Sequence, residues 1–237
     1  MPELARSFGQ IAADYDAARP EYAPEAVARA LELLGVDRSS RVLDLAAGSG
    51  TLTRALAAQI DDVVAVEPDA EMRAVLAARS SELEVLAGSA EAIPLPAASV
   101  DAVFIGDAFH WFDGSVAVDE LARVLRPGGG VALLWNHWWS DGDDRTSNSL
   151  DPPLPAAAHE VFDELYVSSG RAAARREMAD PLLAFSDPRF EPLTGEEFPR
   201  SEVLSRQQVV DLFTTTSSIA SLAPGERDGV KRTLIRL

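Results

Sequence analysis

The chain has 237 residues, of which 47% are hydrophobic, with no cysteine and a formal net charge of −17 at pH 7. Without cysteine it cannot form disulfides or thiolate metal sites or use a cysteine nucleophile, and its acidity disfavours contact with a nucleic-acid backbone. It has no apolar run long enough for a membrane span and no secretory leader at residues 1–6, which predicts a cytoplasmic protein that does not enter a membrane.

The first 136 residues alternate between patterns typical of helices and of strands. Apolar residues recur at helical spacing between Pro24 and Gly35, again after Leu52, and again before Arg126. Strands are expected near residues 41–46, 62–67, 83–87, 100–106 and 130–136. Such an alternation predicts an α/β fold with a parallel sheet and crossover helices.

The second part of the chain is harder to interpret. Residues 140–155 have no periodicity and many turn formers, which predicts a mobile loop, and a helix is expected after it, around residues 158–165. Short apolar stretches at residues 190–193 and 197–198 are candidates for the last strands. Helices are expected around residues 209–213 and from Pro224 onward.

The segment Val-Leu-Asp-Leu-Ala-Ala-Gly-Ser-Gly at residues 42–50 reads as a buried strand that ends near a carboxylate and continues into a glycine-containing turn. Open α/β sheets bind their ligands at the carboxyl ends of their strands, and glycine lets the backbone approach a ligand closely. A second predicted strand ends at Glu67, 19 residues after Gly48, which is the spacing expected of a carboxylate that binds ribose hydroxyls. We therefore predict a nucleotide-like cofactor at this edge.

The same pattern is compatible with a nicotinamide dinucleotide or with S-adenosylmethionine. A dinucleotide fingerprint on Gly48 and Gly50 requires a small residue where this chain has Thr53. The negative charge of Asp44 suits the amino group of a methionine moiety better than a pyrophosphate. These two features favour S-adenosylmethionine.

Five ordered motifs resemble the core of the class I S-adenosylmethionine-dependent methyltransferases, in the group that acts on small molecules. They are residues 44–50, residues 67–69 with Met72, residues 88–95, residues 100–112 with a His-Trp segment, and residues 121–129. Ala46 stands where the family has its first glycine, and Ser89 where it often has Asp.

The resemblance implies a Rossmann-like, mostly parallel sheet with helical lid elements, in one domain over residues 1–237. Within it, residues 1–40 would form a helical cap, 41–136 the cofactor-binding core, 137–188 a variable loop and lid helix, and 189–237 the C-terminal strands and helices. The cofactor-binding residues implied are Tyr15, Asp44, Ala46, Ala47, Gly48, Gly50, Glu67, Pro68, Met72, Ser89, Ala90, Glu91, Asp107, Ala108 and His110.

Near the N-terminus, Tyr15, Arg19 and Tyr22 resemble a family segment that closes over the cofactor, in which Arg19 would meet a carboxylate of cofactor or substrate. The alternative is an ordinary surface helix whose Arg19 pairs with Asp16 or Glu21.

Four tryptophans, Trp111, Trp135, Trp138 and Trp139, are candidates for an aromatic substrate chamber, and Trp135 fits core packing equally well. His110 and His137 follow predicted strands and are the candidate bases, although His110 fits a pocket-shaping role better and His137 an exposed loop. The acidic residues Asp141, Asp143 and Asp144 lack the pattern of a metal site, so no metal is expected.

The sequence thus predicts methyl transfer from S-adenosylmethionine to a small, apolar or aromatic acceptor. One alternative is a protein of the same fold that binds this cofactor or its product but serves a non-methyl reaction or an auxiliary role. A nucleotide-dependent oxidoreductase is the third reading. The oligomeric state and the acceptor atom are not encoded in any motif.

Overall fold

The computed structural model describes residues 8–136 and 179–236, and for Ser217 and Ser218 the backbone alone. The helices are α1 (Ala12–Ala18), α2 (Pro24–Leu33), α3 (Thr51–Ala57), α4 (Ala70–Arg79), α5 (Gly114–Val124), α6 (Pro181–Ala184), α7 (Arg206–Thr214), α8 (Ser217–Ala220) and α9 (Pro224–Arg236). The strands are β1 (Arg41–Leu45), β2 (Asp62–Glu67), β3 (Glu84–Ala87), β4 (Val100–Gly106) and β5 (Leu125–Leu134).

The five strands form one parallel sheet in the order β3-β2-β1-β4-β5. The chain moves outward from β1 through β2 to β3, then crosses back to β4 on the other side of β1. Strand order therefore reverses between β1 and β4, and ligands of open α/β sheets bind at such a switch point. The predicted α/β, Rossmann-like fold is confirmed.

Two apolar clusters cover the two faces of the sheet. Side chains alternate along β1, so Leu43 and Leu45 enter one cluster with α5, whereas Val42 enters the other with α2 and α3. This burial on both faces explains why the strands read as continuous apolar runs. No helix within the described ranges is long and apolar enough to cross a membrane.

The predicted strands at residues 190–193 and 197–198 are wrong, because the described chain between α6 and α7 contains no strand. Pro192 lies within the first stretch, and Pro199 directly follows the second. Proline cannot donate a hydrogen bond to a sheet. Side chains fix this segment instead: Phe190 packs edge-on against Phe185 at 5.2 Å between ring centroids, and Glu196 forms an ion pair with Arg29 at 2.9 Å.

The first part of the chain follows the prediction closely. Helix α2 begins at Pro24 and ends before Gly35, and α9 begins at Pro224, as expected. Strand β5 begins at Leu125 rather than near residue 130, because the turn with Gly128 at φ +86° is a bulge within the strand rather than a loop before it. The predicted loop at residues 140–155 and the helix near residues 158–165 lie outside the described residues.

Candidate functional site

The turn between β1 and α3 forms the centre of the site. Asp44 is 1% exposed, and its Oδ2 accepts a hydrogen bond of 2.6 Å from the Thr53 hydroxyl. Thr53, which argues against a dinucleotide fingerprint, is thus the partner that orients this carboxylate. Ala46 (φ +58°), Gly48 (φ +57°) and Gly50 (φ +90°) are all left-handed, which bends the chain sharply at the sheet edge.

An open cleft of about 470 Å³ lies at this edge, between the β1–α3 turn, the end of β4 and the segment that follows α1. Its lining brings together parts of the chain that are distant in sequence. The lining residues are Tyr15, Arg19, Pro20, Tyr22, Asp44, Ala46, Ala47, Gly48, Ser49, Thr51, Leu52, Gly106, Asp107 and Asn136. A cleft at a switch point between strands is where a cofactor of an α/β protein is expected.

Three buried polar atoms of this lining have no hydrogen-bond partner among the described residues. They are Asp44 Oδ1, Ser49 Oγ and Arg19 Nε. Buried polar groups are nearly always paired, so three orphans in one cleft indicate a ligand that has both cationic and anionic groups.

The other contacts of Arg19 hold its guanidinium in place. Its Nη2 donates to the Thr215 carbonyl oxygen at 3.1 Å, and its Cζ lies 4.7 Å from the centroid of the Tyr15 ring. The alternative ion pairs with Asp16 and Glu21 are not formed, because both carboxylates pair with Arg54 instead. Arg19 is therefore a cleft residue rather than part of an ordinary surface helix.

Burial raises the pKa of Asp44 to about 7, although the Thr53 hydroxyl lowers it and Glu67 adds a smaller upward effect. Desolvation disfavours the charged form of a carboxyl group, and a nearby cation would reverse the effect. The ionisation of Asp44 near neutral pH therefore depends on whether a cationic ligand is bound.

A second carboxylate, Asp107, faces the cleft from the end of β4. Tyr22 Oη donates to its Oδ2 at 2.9 Å, and the Asn136 backbone N–H donates to its Oδ1 at 3.2 Å. Burial and the neighbouring Asp107 raise the pKa of Tyr22 well above its ordinary value. Tyr22 therefore stays protonated at neutral pH.

On the other side of the glycine turn, the carboxylate of Glu67 is already engaged by the protein. Its two oxygens accept backbone N–H groups of Gly48 at 2.9 Å and of Asp69 at 2.8 Å. Burial raises the pKa of Glu67, and these two hydrogen bonds lower it. Next to it, the Pro68 carbonyl accepts from Arg73, and Met72 is buried at the start of α4, which Asp69 caps.

The N-terminal segment covers this region. The Phe8 ring lies 5.3 Å from the Tyr15 ring and 6.4 Å from the Trp111 ring, centroid to centroid. Asp16, whose side chain is 1% exposed, fixes α1 to the core through Arg54 at 3.2 Å and Arg79 at 2.6 Å. We refer to residues 8–19 as the N-terminal cap.

Several predicted site residues lie outside the cleft lining. Glu91 accepts the backbone N–H of Asp113 at 3.1 Å, Ser89 forms an isolated bridge with Ala92, and Ala90 and Ala108 are buried in the cluster under α5. The His110 ring lies 4.7 Å from the Trp111 ring, and its backbone carbonyl accepts from Ala179.

Two of the four tryptophans predicted for an aromatic chamber lie among the described residues. Trp111 belongs to the apolar cluster under α5, and Trp135 packs against the same cluster. His137, Trp138 and Trp139 lie outside the described residues, as do Asp141, Asp143 and Asp144. No group of three potential metal ligands occurs within residues 8–136 and 179–236. The roles of these residues toward cofactor and acceptor stay predictions.

Six of the lining residues are not among the cofactor- and substrate-binding residues predicted from the sequence: Pro20, Ser49, Thr51, Leu52, Gly106 and Asn136. Ser49 lies between two residues that the glycine motif singled out, and that position was the available signal. No sequence motif includes Asn136. It lines the cleft because β5 ends beside β4, where its backbone N–H donates to Asp107.

Known proteins resemble this chain over different shares of its length. A family model described as a methyltransferase domain matches residues 43–133. An uncharacterized methyltransferase of Mycobacterium tuberculosis is 46% identical over 134 residues, which are 56% of this chain and 54% of that protein. A protein of Dictyostelium discoideum named as a methyltransferase is 26% identical over 233 residues, covering 97% of this chain and 85% of the relative.

A demethylmenaquinone methyltransferase of Beutenbergia cavernae is 40% identical over 104 residues, which are 44% of this chain and 43% of the relative. The alignments with the mycobacterial and Beutenbergia proteins span only about half the length of each relative. The segment matched by the family model includes the β1–α3 turn and ends near the end of β5.

Proposed function

We propose, on the premise that this chain belongs to the class I S-adenosylmethionine-dependent methyltransferases, that it transfers the methyl group of S-adenosylmethionine to a small molecule. The observation that carries this proposal is the set of three orphaned polar atoms in the cleft. The methionine part of the cofactor is a zwitterion, with one ammonium and one carboxylate group. One carboxylate oxygen, one guanidinium nitrogen and one hydroxyl, each without a partner among the described residues, match those two charges.

In this proposal, Asp44 binds the cofactor's ammonium group, and Arg19 and Ser49 bind its carboxylate. A cation beside Asp44 offsets the desolvation that raises its pKa, so binding and ionisation of this carboxyl support each other. The left-handed Gly48 has nothing within 4 Å of where a Cβ would lie, so the turn leaves open space on its cleft side.

Glu67 is the candidate for the two ribose hydroxyls. A carboxylate has about four lone-pair positions, and the two backbone N–H groups leave room for further donors. The hydrogen bonds from Gly48 and Asp69 hold Glu67 in one orientation before any ligand arrives, which reduces the entropic cost of binding.

When bound, S-adenosylmethionine supplies a methyl group on a positively charged sulfur, which is a good leaving group. The chain then has to orient the acceptor and exclude water. Tyr15, Arg19 and Tyr22 line the cleft from the N-terminal side and are the candidates for covering the reacting groups. A small acceptor is supported by the relative named as a demethylmenaquinone methyltransferase and by the net charge of −17, which disfavours nucleic acids. An apolar or aromatic acceptor is the finer form of this proposal.

The test is calorimetric titration of the full chain with S-adenosylmethionine, S-adenosylhomocysteine and NAD. We expect micromolar binding of the first two and none of NAD. Ser49→Ala should weaken both by roughly tenfold, because it removes one hydrogen bond to a charged group. Asp61→Asn is the matched control, since Asp61 is exposed and pairs only with the exposed Arg38 among the described residues.

Transfer of a labelled methyl group to small aromatic compounds would then test the activity itself. Failure of the purified protein to bind S-adenosylmethionine, once mass spectrometry has shown that no product cofactor is carried along, would contradict the proposal. Preferential retention of NAD would favour the oxidoreductase reading instead. Cofactor binding without transfer to any compound would favour an auxiliary role.

A further inference from the structure

Tyr22 and Asp107 form a hydrogen-bonded pair in the wall of the cleft. The Tyr22 hydroxyl donates to Asp107 Oδ2 at 2.9 Å, and the Asn136 backbone N–H donates to the same carboxylate at 3.2 Å. All three residues line the cleft, and they come from the segment before α2, the end of β4 and the end of β5. Because these three residues come from distant parts of the chain, the fold fixes the pair and its Asn136 partner in position.

The backbone makes room for this pair. A Cβ at Gly106 would overlap the Tyr22 hydroxyl, so only glycine lets the tyrosine reach the carboxylate. Asp107 itself has φ +50°, a left-handed conformation that few residues other than glycine, asparagine and aspartate adopt. Strained backbone of this kind is concentrated at functional sites.

The three orphaned polar atoms of the cleft already have a role in the proposed function. Asp44 matches the cofactor's ammonium group, and Arg19 and Ser49 match its carboxylate. Neither Tyr22 nor Asp107 is needed for that match. This pair is therefore a candidate for contact with the second substrate.

The direction of the hydrogen bond determines what the pair can recognise. Tyr22 uses its only proton to reach Asp107, so its oxygen offers lone pairs and acts as an acceptor toward the cleft. A ligand with an O–H or N–H group can donate to that oxygen. A ligand carboxylate would face lone pairs and a nearby negative charge.

We propose, building on the methyl-transfer function above, that the methyl acceptor is a hydroxyl or an amine rather than a carboxylate, and that Tyr22 passes the acceptor's proton to Asp107. The acceptor's oxygen or nitrogen forms its bond to the methyl carbon as the carbon–sulfur bond of the sulfonium breaks. The proton of the acceptor moves to Tyr22 Oη, and the original Tyr22 proton moves to Asp107. The products are the methylated acceptor, S-adenosylhomocysteine, a neutral tyrosine and a protonated Asp107.

Tyr22 is a proton carrier rather than a standing base in this scheme. Burial and Asp107 raise its pKa, which keeps its hydroxyl protonated between turnovers. In this scheme Tyr22, and not His110 or His137, takes the acceptor's proton. Tyr22 lines the cleft, whereas His110 is not among its lining residues and His137 lies outside the described residues.

The test uses two probes that differ only in the group they present, 2-naphthol and 2-naphthoate. Each is titrated by calorimetry into the full chain saturated with S-adenosylhomocysteine. We expect 2-naphthol to bind at least about tenfold more tightly, which corresponds to one hydrogen bond of ordinary net strength.

Two variants identify the origin of this preference. Tyr22→Phe keeps the ring in the apolar cluster and removes the hydroxyl, so naphthol should bind roughly tenfold more weakly than to the parent chain and its preference over naphthoate should fall by the same factor. Asp107→Asn keeps a residue that tolerates φ +50° and removes the charge, so naphthoate should bind roughly tenfold more tightly than it does to the parent chain. Asp61→Asn changes the net charge equally on the exposed surface and should leave both probes unaffected.

The proposal is overturned if naphthoate binds as well as naphthol, if Tyr22→Phe keeps the preference, or if neither probe binds. The parent chain alone decides the first and third of these outcomes, so the proposal is testable even where a variant does not fold. Titration of S-adenosylhomocysteine in the same samples separates this failure from a failure of the proposed function, because only the latter would abolish cofactor binding.

Discussion

The two sides of the glycine turn differ in how their polar groups are satisfied. On the side of β4, Asp44 Oδ1 and Ser49 Oγ are buried without partners among the described residues, in an open cleft. On the side of β2, both oxygens of Glu67 accept backbone N–H groups of the protein itself. In the proposed function, a ligand supplies the partners on the first side, whereas backbone N–H groups already supply them for Glu67 on the second.

This difference indicates how the two sides of the turn would each contribute to the affinity for a ligand. Orphaned buried polar atoms cost stability in the empty protein, and a ligand that pairs them recovers that cost as affinity. A side whose hydrogen bonds are already made gains affinity from preorganisation instead. We therefore expect substitutions at Asp44 to weaken binding while relieving a cost to folding, and substitutions at Glu67 to weaken both binding and folding.

Glu67→Ala should have the largest effect. It removes the acceptor of two buried N–H groups as well as the proposed ribose contact, so we expect a loss of about 3 kcal/mol in the free energy of unfolding and about 100-fold in affinity for S-adenosylmethionine. Urea denaturation and calorimetry measure the two losses. Glu67→Gln, which keeps one oxygen acceptor, should lose less of the stability; equal losses in both variants would contradict the role of the two hydrogen bonds.

Asp44 should make cofactor binding depend on pH. With a pKa of about 7 in the empty protein, it takes up a proton as the pH falls below 7, and that proton must leave before an ammonium group can bind. We expect affinity to fall by up to about tenfold per pH unit below pH 7. Calorimetry at pH 6 and 8 tests this, with Asp44→Asn as the comparison, which should bind more weakly at pH 8 and show a flatter pH dependence.

The same carboxyl group should affect the stability of the empty protein in the opposite direction. Its pKa is raised above that of the unfolded chain, so its protonation stabilises the fold at low pH, and this stabilisation is lost as the pH rises through about 7. Above pH 7, Asp44→Asn should therefore be more stable than the parent, on the order of 2 kcal/mol. Urea denaturation at pH 5 and pH 8 would refute this if the difference between the two proteins did not grow with pH.

Asp16→Asn should loosen the N-terminal cap. It breaks a buried ion pair with Arg54 and Arg79, and we expect a loss of about 2 kcal/mol, less than for a fully buried pair because both arginines are partly exposed. Hydrogen exchange should rise first in α1. Asp14→Asn, at an exposed position of the same helix, should have a smaller effect. Equal exchange in the two variants would show that the ion pair does not hold the cap.

Ala46→Gly should have the smallest effect, and a favourable one. Ala46 has φ +58° at the position where the family has glycine, and this conformation costs a residue with a Cβ about 1 kcal/mol. Glycine relieves that cost but adds freedom to the unfolded chain, so we expect a net gain of less than about 1 kcal/mol by thermal unfolding. Gly48→Ala, the matched reverse change at φ +57°, should destabilise; a stabilising effect there would contradict the argument from strain.

Most of the sheet could be predicted because its signals are local. Continuous apolar runs identify strands that are buried on both faces. Helix α2 begins at Pro24 and ends before Gly35, as the local pattern predicted. The failure at residues 190–198 has the same origin: the two stretches are only four and two residues long, each contains a glutamate, and Pro192 and Pro199 lie within the first and directly after the second, so the local pattern is too short to identify a strand.

The site could be predicted only where it coincides with a motif. Asp44 and Gly48 line the cleft as the glycine motif indicated, whereas Trp111 lies in the apolar cluster under α5 and Trp135, for which core and pocket were both open, packs against it. Aromatic residues at a strand end serve core and pocket equally well, and sequence alone does not distinguish the two.

By itself, the sequence determined a parallel α/β sheet, a sharp glycine turn after β1 and a carboxylate beside it, because each depends on residues close together in the chain. The tertiary structure alone decided three hydrogen bonds. Arg19 donates to the Thr215 carbonyl instead of pairing with the acidic residues of its own segment, and Glu67 accepts from backbone N–H groups. Tyr22 donates to Asp107, which is 85 residues away in the sequence. Such partners are selected by packing between elements, and the local pattern of a sequence does not contain that information.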